Sequence, residues 1–153
     1  MKMKSFLFDK LVRDKSIKTL EDQGAIVHLK NLKKDKDFLE AVSQKIVEEL
    51  NEVFESETKE ELISELADLE DILDIFKKLI KVAPEEIAAA KKEKNKERGG
   101  FEKRIYVQYA EIPKTCDMYA YCENNPEKYP EIIEGEEEDE EEFDLFDDED
   151  DND

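Results

Sequence analysis

Glu49 and Glu52, followed by Glu65 and Asp68, form two pairs of carboxylates with the same i, i+3 spacing. On a helix that spacing sets the members of a pair one turn apart on one side. Two such pairs on helices folded against each other gather four oxygen donors, the set that suits a hard divalent cation such as Mg²⁺. A cation held in this way can lower the pKa of a bound water. The pattern therefore points to an enzyme rather than to a merely acidic protein.

The elements that must position these acids are legible around them. Residues 36–56 predict a helix: with Ile46 as the origin, Leu39, Val42, Leu50 and Val53 fall within about 40° of it. Residues 59–81 predict a second, with Leu62, Leu66, Leu69, Leu73, Phe76 and Ile80 along one stripe. The link from Ser56 to Thr58 is short, which forces an antiparallel helix hairpin. A first short helix is expected over 10–23, stopped by Gly24. Another is expected over 84–97, with Pro84 at its first position, Glu85 and Glu86 in its first turn and Gly99-Gly100 at its end. Residues 25–30 and 104–109 have the β-branched and aromatic content of brief strands that could pair. Residues 110–133, with Pro113, Pro126 and Pro130, read as an irregular segment packed on the domain.

Charge is unevenly spread. The chain of 153 residues carries a formal −20, yet 15 acidic residues and no Lys or Arg lie between Glu134 and Asp153. The part before Glu134 is a mildly acidic, Lys-rich domain of ordinary size. The segment 134–153 holds too few apolar residues to offset its ordering entropy and is expected to be a disordered acidic tail. Phe143, Leu145 and Phe146 within it could instead dock a basic partner with an apolar groove. No apolar run is long enough for a signal peptide or a membrane span, so a cytosolic protein is expected. Cys116 and Cys122 have no neighbouring His and cannot supply a four-ligand zinc site. His28 reads as a packing or surface residue.

Position on the helix separates the acids. Glu49 lies about 60° from the Ile46 stripe centre, between Ile46 and Val53, with Glu52 on the same flank. Glu65 lies about 100° from Leu66 but among Leu62, Leu69 and Ile72, and Asp68 continues that flank. Glu48 points away from its stripe. Carboxylates bordering a packing face are partly desolvated, which costs free energy unless a cation or hydrogen bonds compensate. The alternative is that they are boundary residues paired with lysines. Glu70 and Asp71 could be supporting groups or salt-bridge partners.

Glu48-Glu49-Leu50-Asn51-Glu52, followed by Glu65-Leu66-Ala67-Asp68, resembles the EExxE…ExxD pattern of the all-α nucleotide pyrophosphohydrolases, which include MazG, the dimeric dUTPases and phosphoribosyl-ATP pyrophosphohydrolase. The flanking Lys10-Leu11-Val12-Arg13-Asp14-Lys15 and Lys94-x-x-Glu97-Arg98-Gly99-Gly100-Phe101 are similar to the small, single-domain MazG-like group. The resemblance covers roughly residues 8–109. It implies a mainly α, MazG-like helical bundle over residues 1–109; the irregular extension 110–133 and the tail 134–153 lie outside it. It further implies Mg²⁺-dependent hydrolysis of nucleoside triphosphates, non-standard ones included, to nucleoside monophosphate and pyrophosphate. Members usually work as homodimers or higher homo-oligomers, with the site completed near a subunit interface.

On that reading Glu49, Glu52, Glu65 and Asp68 are catalytic and metal-binding, with Glu48 as a further ligand and Mn²⁺ as a substitute for Mg²⁺. Charge on the phosphates needs cations. Arg13, Lys15 and Arg98 are the natural candidates, with Lys10, Lys91 and Lys94 behind them. Two of the chain's three arginines fall in the flanking motifs, and a planar bidentate donor suits phosphate. The rival is a non-catalytic helical interaction protein whose acidic tail docks a basic partner. A nucleic-acid binder is disfavoured, since there is no basic stripe and the net charge opposes it.

Overall fold

A computed structural model describes residues 3–133. The expected acidic tail, with its docking residues Phe143, Leu145 and Phe146, lies outside the described residues. The described chain is mainly helical: α1 (Asp14–Asp22), α2 (Asp35–Glu55), α3 (Lys59–Leu79), α4 (Pro84–Arg98) and α5 (Asp117–Glu123). It divides by contact into two units, Met1–Arg98 and Gly99–Asp153. No described helix is long and apolar enough to cross a membrane.

In the first unit α2 and α3 pack against each other along the hairpin. The turn between them is built from side chains that satisfy the backbone groups a helix end leaves open. The Ser56 hydroxyl donates to the Glu52 carbonyl at 2.9 Å. Thr58 caps α3, its Oγ1 accepting from the Glu61 N–H at 3.1 Å. Glu61 reaches back to accept from the Glu57 N–H at 3.0 Å, a variation on the reciprocal capping box. At the start of α4, Glu86 accepts from the N–H of Ala83, the residue before Pro84, at 2.7 Å.

The first helix is shorter than its apolar pattern predicts. Asp9 has φ +41° and Arg13 is in the extended region, so residues 10–13 form no helical turn and α1 begins at Asp14. This extended run is what lets Lys10 and Arg13 reach different helices of the hairpin. Gly24 ends α1 as expected: it has φ +89°, a conformation that suits glycine, and its N–H donates to the Glu21 carbonyl at 2.9 Å.

The two brief strands expected at 25–30 and 104–109 are corrected by the structure. Among the described residues there is no strand or bridge. Arg104 sits at φ +55°, which breaks an extended run at its first residue. Ile105, Tyr106 and Val107 are exposed, and β-propensity expresses itself only when neighbouring strands and burial reward it. In the second unit, the stretch 110–133 is not wholly irregular, because it contains α5. Tyr121 on α5 and Tyr129 beyond it meet edge to face with centroids 5.8 Å apart. Lys128 lies 5.7 and 5.5 Å from their ring centres.

The packing line of the hairpin is rotated from the apolar stripes. The buried apolar residues are Val42 and Val53 on α2 and Ile72 on α3. Seven residues separate Val42 from Glu49 and four separate Glu49 from Val53, so Glu49 lies on the buried line itself. On α3 the inward line runs past Glu65, Asp68 and Ile72, while Leu66, from the middle of the expected stripe, is 43% exposed. Leu50, Val47, Ile63 and Ile80 are also exposed. The hairpin turns its acidic flanks together and leaves much of its apolar surface uncovered.

Candidate metal centre

Each arm of the hairpin contributes to the acidic cluster. Oxygens of Glu49 on α2 and of Glu65 and Asp68 on α3 lie within 4.8 Å of one another. Glu49 is only 6% exposed, and Glu65 and Asp68 are half-buried. Acidic triads are common on protein surfaces, so the environment of each carboxylate decides what this one can do.

Glu49 is held by Lys45, one turn earlier on α2, at 2.7 Å. The same ammonium lies 3.3 Å from Glu48, which also accepts from Lys10 at 2.6 Å. Burial acts to lower the Lys45 pKa, but its hydrogen bonds to Glu49 and Glu48 outweigh that and hold it above the ordinary lysine value. Burial likewise acts to raise Glu48, and its bonds to Lys10 and Lys45 prevail, setting it below the usual carboxylate range. Across the cluster, Asp68 accepts from both Nε (3.1 Å) and Nη2 of Arg13 through one oxygen. Nη2 also reaches Asp71 at 2.8 Å. These bonds to Asp71 and Asp68 raise the already high pKa of Arg13 further.

Glu65 differs from the other two. Among the described residues it has no hydrogen-bond or ion-pair partner. Its pKa is raised, first by desolvation and then by the charges of Asp68, Glu49, Glu52 and Glu61. An unpartnered carboxylate grouped with two others is where a cation gains most.

The structure therefore brings together three of the four paired carboxylates. Glu52 is exposed and outside the triad, though close enough for its charge to act on Glu65. Glu48 is half-buried and engaged by two lysines, also outside the triad. Of the cationic candidates, Arg13 reaches the triad and Lys10 reaches Glu48 beside it. Lys15, Lys91, Lys94 and Arg98 are exposed and make no ion pair among the described residues. Asp71 is a partner of Arg13, which resolves its open role. Lys45 escaped the sequence reading. Its signal was there, a lysine four residues before Glu49 on the packing side of the helix.

The donor set fits a hard divalent cation. It offers three carboxylate oxygens, one of them without a counter-charge, and an exposed fourth acid one turn beyond Glu49. Compared with known protein families, with curated proteins and with solved structures, the chain finds no match.

Proposed function

We propose that the chain is a Mg²⁺-dependent nucleoside triphosphate pyrophosphohydrolase whose metal is held by Glu49, Glu65 and Asp68. The observation that carries this reading is the convergence of these three carboxylates across the hairpin, at positions that match the ExxD and EExxE elements. Glu49, Glu65 and Asp68 would hold the cation, and the chemistry supplied there would be Lewis-acid polarisation and a water of lowered pKa. The protein's own part is to hold the donors. Lys45 fixes Glu49, the hairpin turn fixes the register of α2 against α3, and Arg13 and Lys10 put positive charge beside acids that would otherwise repel a triphosphate. Glu52 and Glu48 stand beside the triad, as the outer members of the same pattern.

The uncovered apolar surface supports a homo-oligomer. Val47 and Leu50 on α2 and Ile63 and Leu66 on α3 are exposed in the single chain. Two hairpins that bury such faces against each other make a four-helix bundle, the layer architecture that satisfies an amphipathic pair of helices.

A second reading has a specific observation behind it. Lys45 and Arg13 already pair with two of the three triad carboxylates, as in a structural ion-pair network within a non-catalytic interaction protein. One experiment separates the two. The full chain is incubated with a panel of nucleoside triphosphates and Mg²⁺, and pyrophosphate is measured. Release that is abolished by Glu49→Gln and by Asp68→Asn is expected. If no triphosphate yields pyrophosphate, or if both variants retain the wild-type rate, the enzyme reading is wrong.

A further inference from the structure

Asp68 belongs to two arrangements at once. It is a corner of the carboxylate triad, and one of its oxygens takes two N–H groups of Arg13. The residues around it divide the positive charge unequally. Lys45 leaves only 18% of its side chain exposed and is wedged between Glu48 and Glu49, whereas 61% of the Arg13 side chain is exposed. Arg13 also comes from outside the hairpin, at the end of the extended run before α1. Apart from the Lys10–Glu48 bond, its contacts with Asp68 and Asp71 are the polar side-chain links from described residues 3–13 to the hairpin.

We propose that Arg13 is a resident counter-cation of the centre: it neutralises Asp68 until a divalent ion enters the triad, and is then displaced from that carboxylate toward phosphate. The inference rests on the cation site proposed above. The physical ground is direct. A guanidinium and a dication bound to one carboxylate repel each other at close range, and both draw on the single negative charge of Asp68. Lys45 is too enclosed to leave, so Arg13 is the group that moves. Once released, it keeps a planar fork of donors whose geometry matches phosphate oxygens. Displacement is reciprocal: if the metal weakens the hold on Arg13, Arg13 weakens the hold on the metal by the same factor.

The test measures Mn²⁺ binding by electron paramagnetic resonance on the full chain, without nucleotide. Arg13→Gln is expected to bind Mn²⁺ more tightly than the unmodified protein, on the order of threefold to tenfold for an exposed charge at this range. Arg13→Lys, which keeps the competing charge, is expected to stay close to the unmodified affinity. Equal or weaker binding by Arg13→Gln overturns the proposal. A second measurement does not depend on that variant folding. In the unmodified protein with ¹⁵N-labelled arginine, Mg²⁺ should shift the Arg13 Nε–H resonance, and an unmoved resonance at saturating Mg²⁺ also overturns it. The two readings fail separately. Tighter Mn²⁺ binding in Arg13→Gln without pyrophosphate release from any triphosphate removes the enzyme and leaves the counter-cation. Hydrolysis with unchanged Mn²⁺ affinity in Arg13→Gln does the reverse.

Discussion

Removing the ammonium of Lys45 leaves Glu49 charged and almost fully enclosed, with its 2.7 Å partner gone. Breaking a buried pair from one side costs about 3–5 kcal/mol when the remaining charge is sealed from water. Two features pull the figure down here. The Lys45 side chain keeps some solvent contact, and protonating an ordinary glutamate at pH 7 costs no more than about 3.7 kcal/mol, which sets a ceiling. We expect Lys45→Met to lose about 2–3 kcal/mol at pH 7. For a unit of this size that is roughly 10–20 °C in Tm. Circular dichroism melting reads it, and two controls sharpen it. The loss should fall by more than half in the double variant Lys45→Met with Glu49→Gln, which removes the stranded charge. Mg²⁺ should recover part of it by replacing the ammonium as counter-charge. A loss below about 0.5 kcal/mol, the scale of an exposed pair, would refute the reasoning, because Glu49 would then be finding water in spite of its burial.

Glu65→Gln should raise the Tm of the metal-free protein and abolish any stabilisation by Mg²⁺. A carboxyl whose folded pKa lies above its unfolded value opposes folding at all pH values above that unfolded value, and the direction of the Glu65 shift places it in this class. Glu48 works with the opposite sign. Its lowered pKa contributes stability above about pH 4.3 that disappears as pH falls further. Urea unfolding in steps below pH 5 should show this loss, and Lys10→Gln should flatten it. If hairpins pair as proposed, Leu66→Glu should leave a monomer in sedimentation equilibrium with its helix content kept, because Leu66 is already exposed in the single chain. An unmodified protein that sediments as a monomer at all concentrations would rule out the paired-hairpin arrangement.

The hairpin was legible because its signals are local. Apolar residues recur at helical spacing, and Ser56, Thr58 and Glu61 close the turn with groups only a few residues apart. The rotation of the packing line was not legible. Periodicity shows which residues are apolar, but not which part of an apolar stripe a given neighbour covers. With a single partner helix, α2 buries Val42, Glu49 and Val53 and leaves Leu50 outside. Position on the wheel therefore put Glu49 at the flank of a stripe when it lies on the buried line. The strands at 25–30 and 104–109 failed for a related reason. Strand content is a property of pairs, and a β-branched hexapeptide carries no information about whether a second one lies beside it.

The charges of the centre show why spacing alone under-describes such a site. The pattern of four acids suggests a bare anionic cup, and a bare cup would be unstable without metal. The folded chain instead supplies two cations of different kinds. Lys45 comes from within the same helix, at a separation set by the helical turn, and is enclosed with the acid it serves. Arg13 comes from 55 residues away in sequence, through a segment that the apolar pattern assigned to a helix. The near cation is tied to the acids of its own helix, with 18% of its side chain exposed. The distant and exposed one can leave without breaking the hairpin. That difference in tethering, more than the number of carboxylates, is what would let one set of acids be stable when empty and still admit a divalent ion.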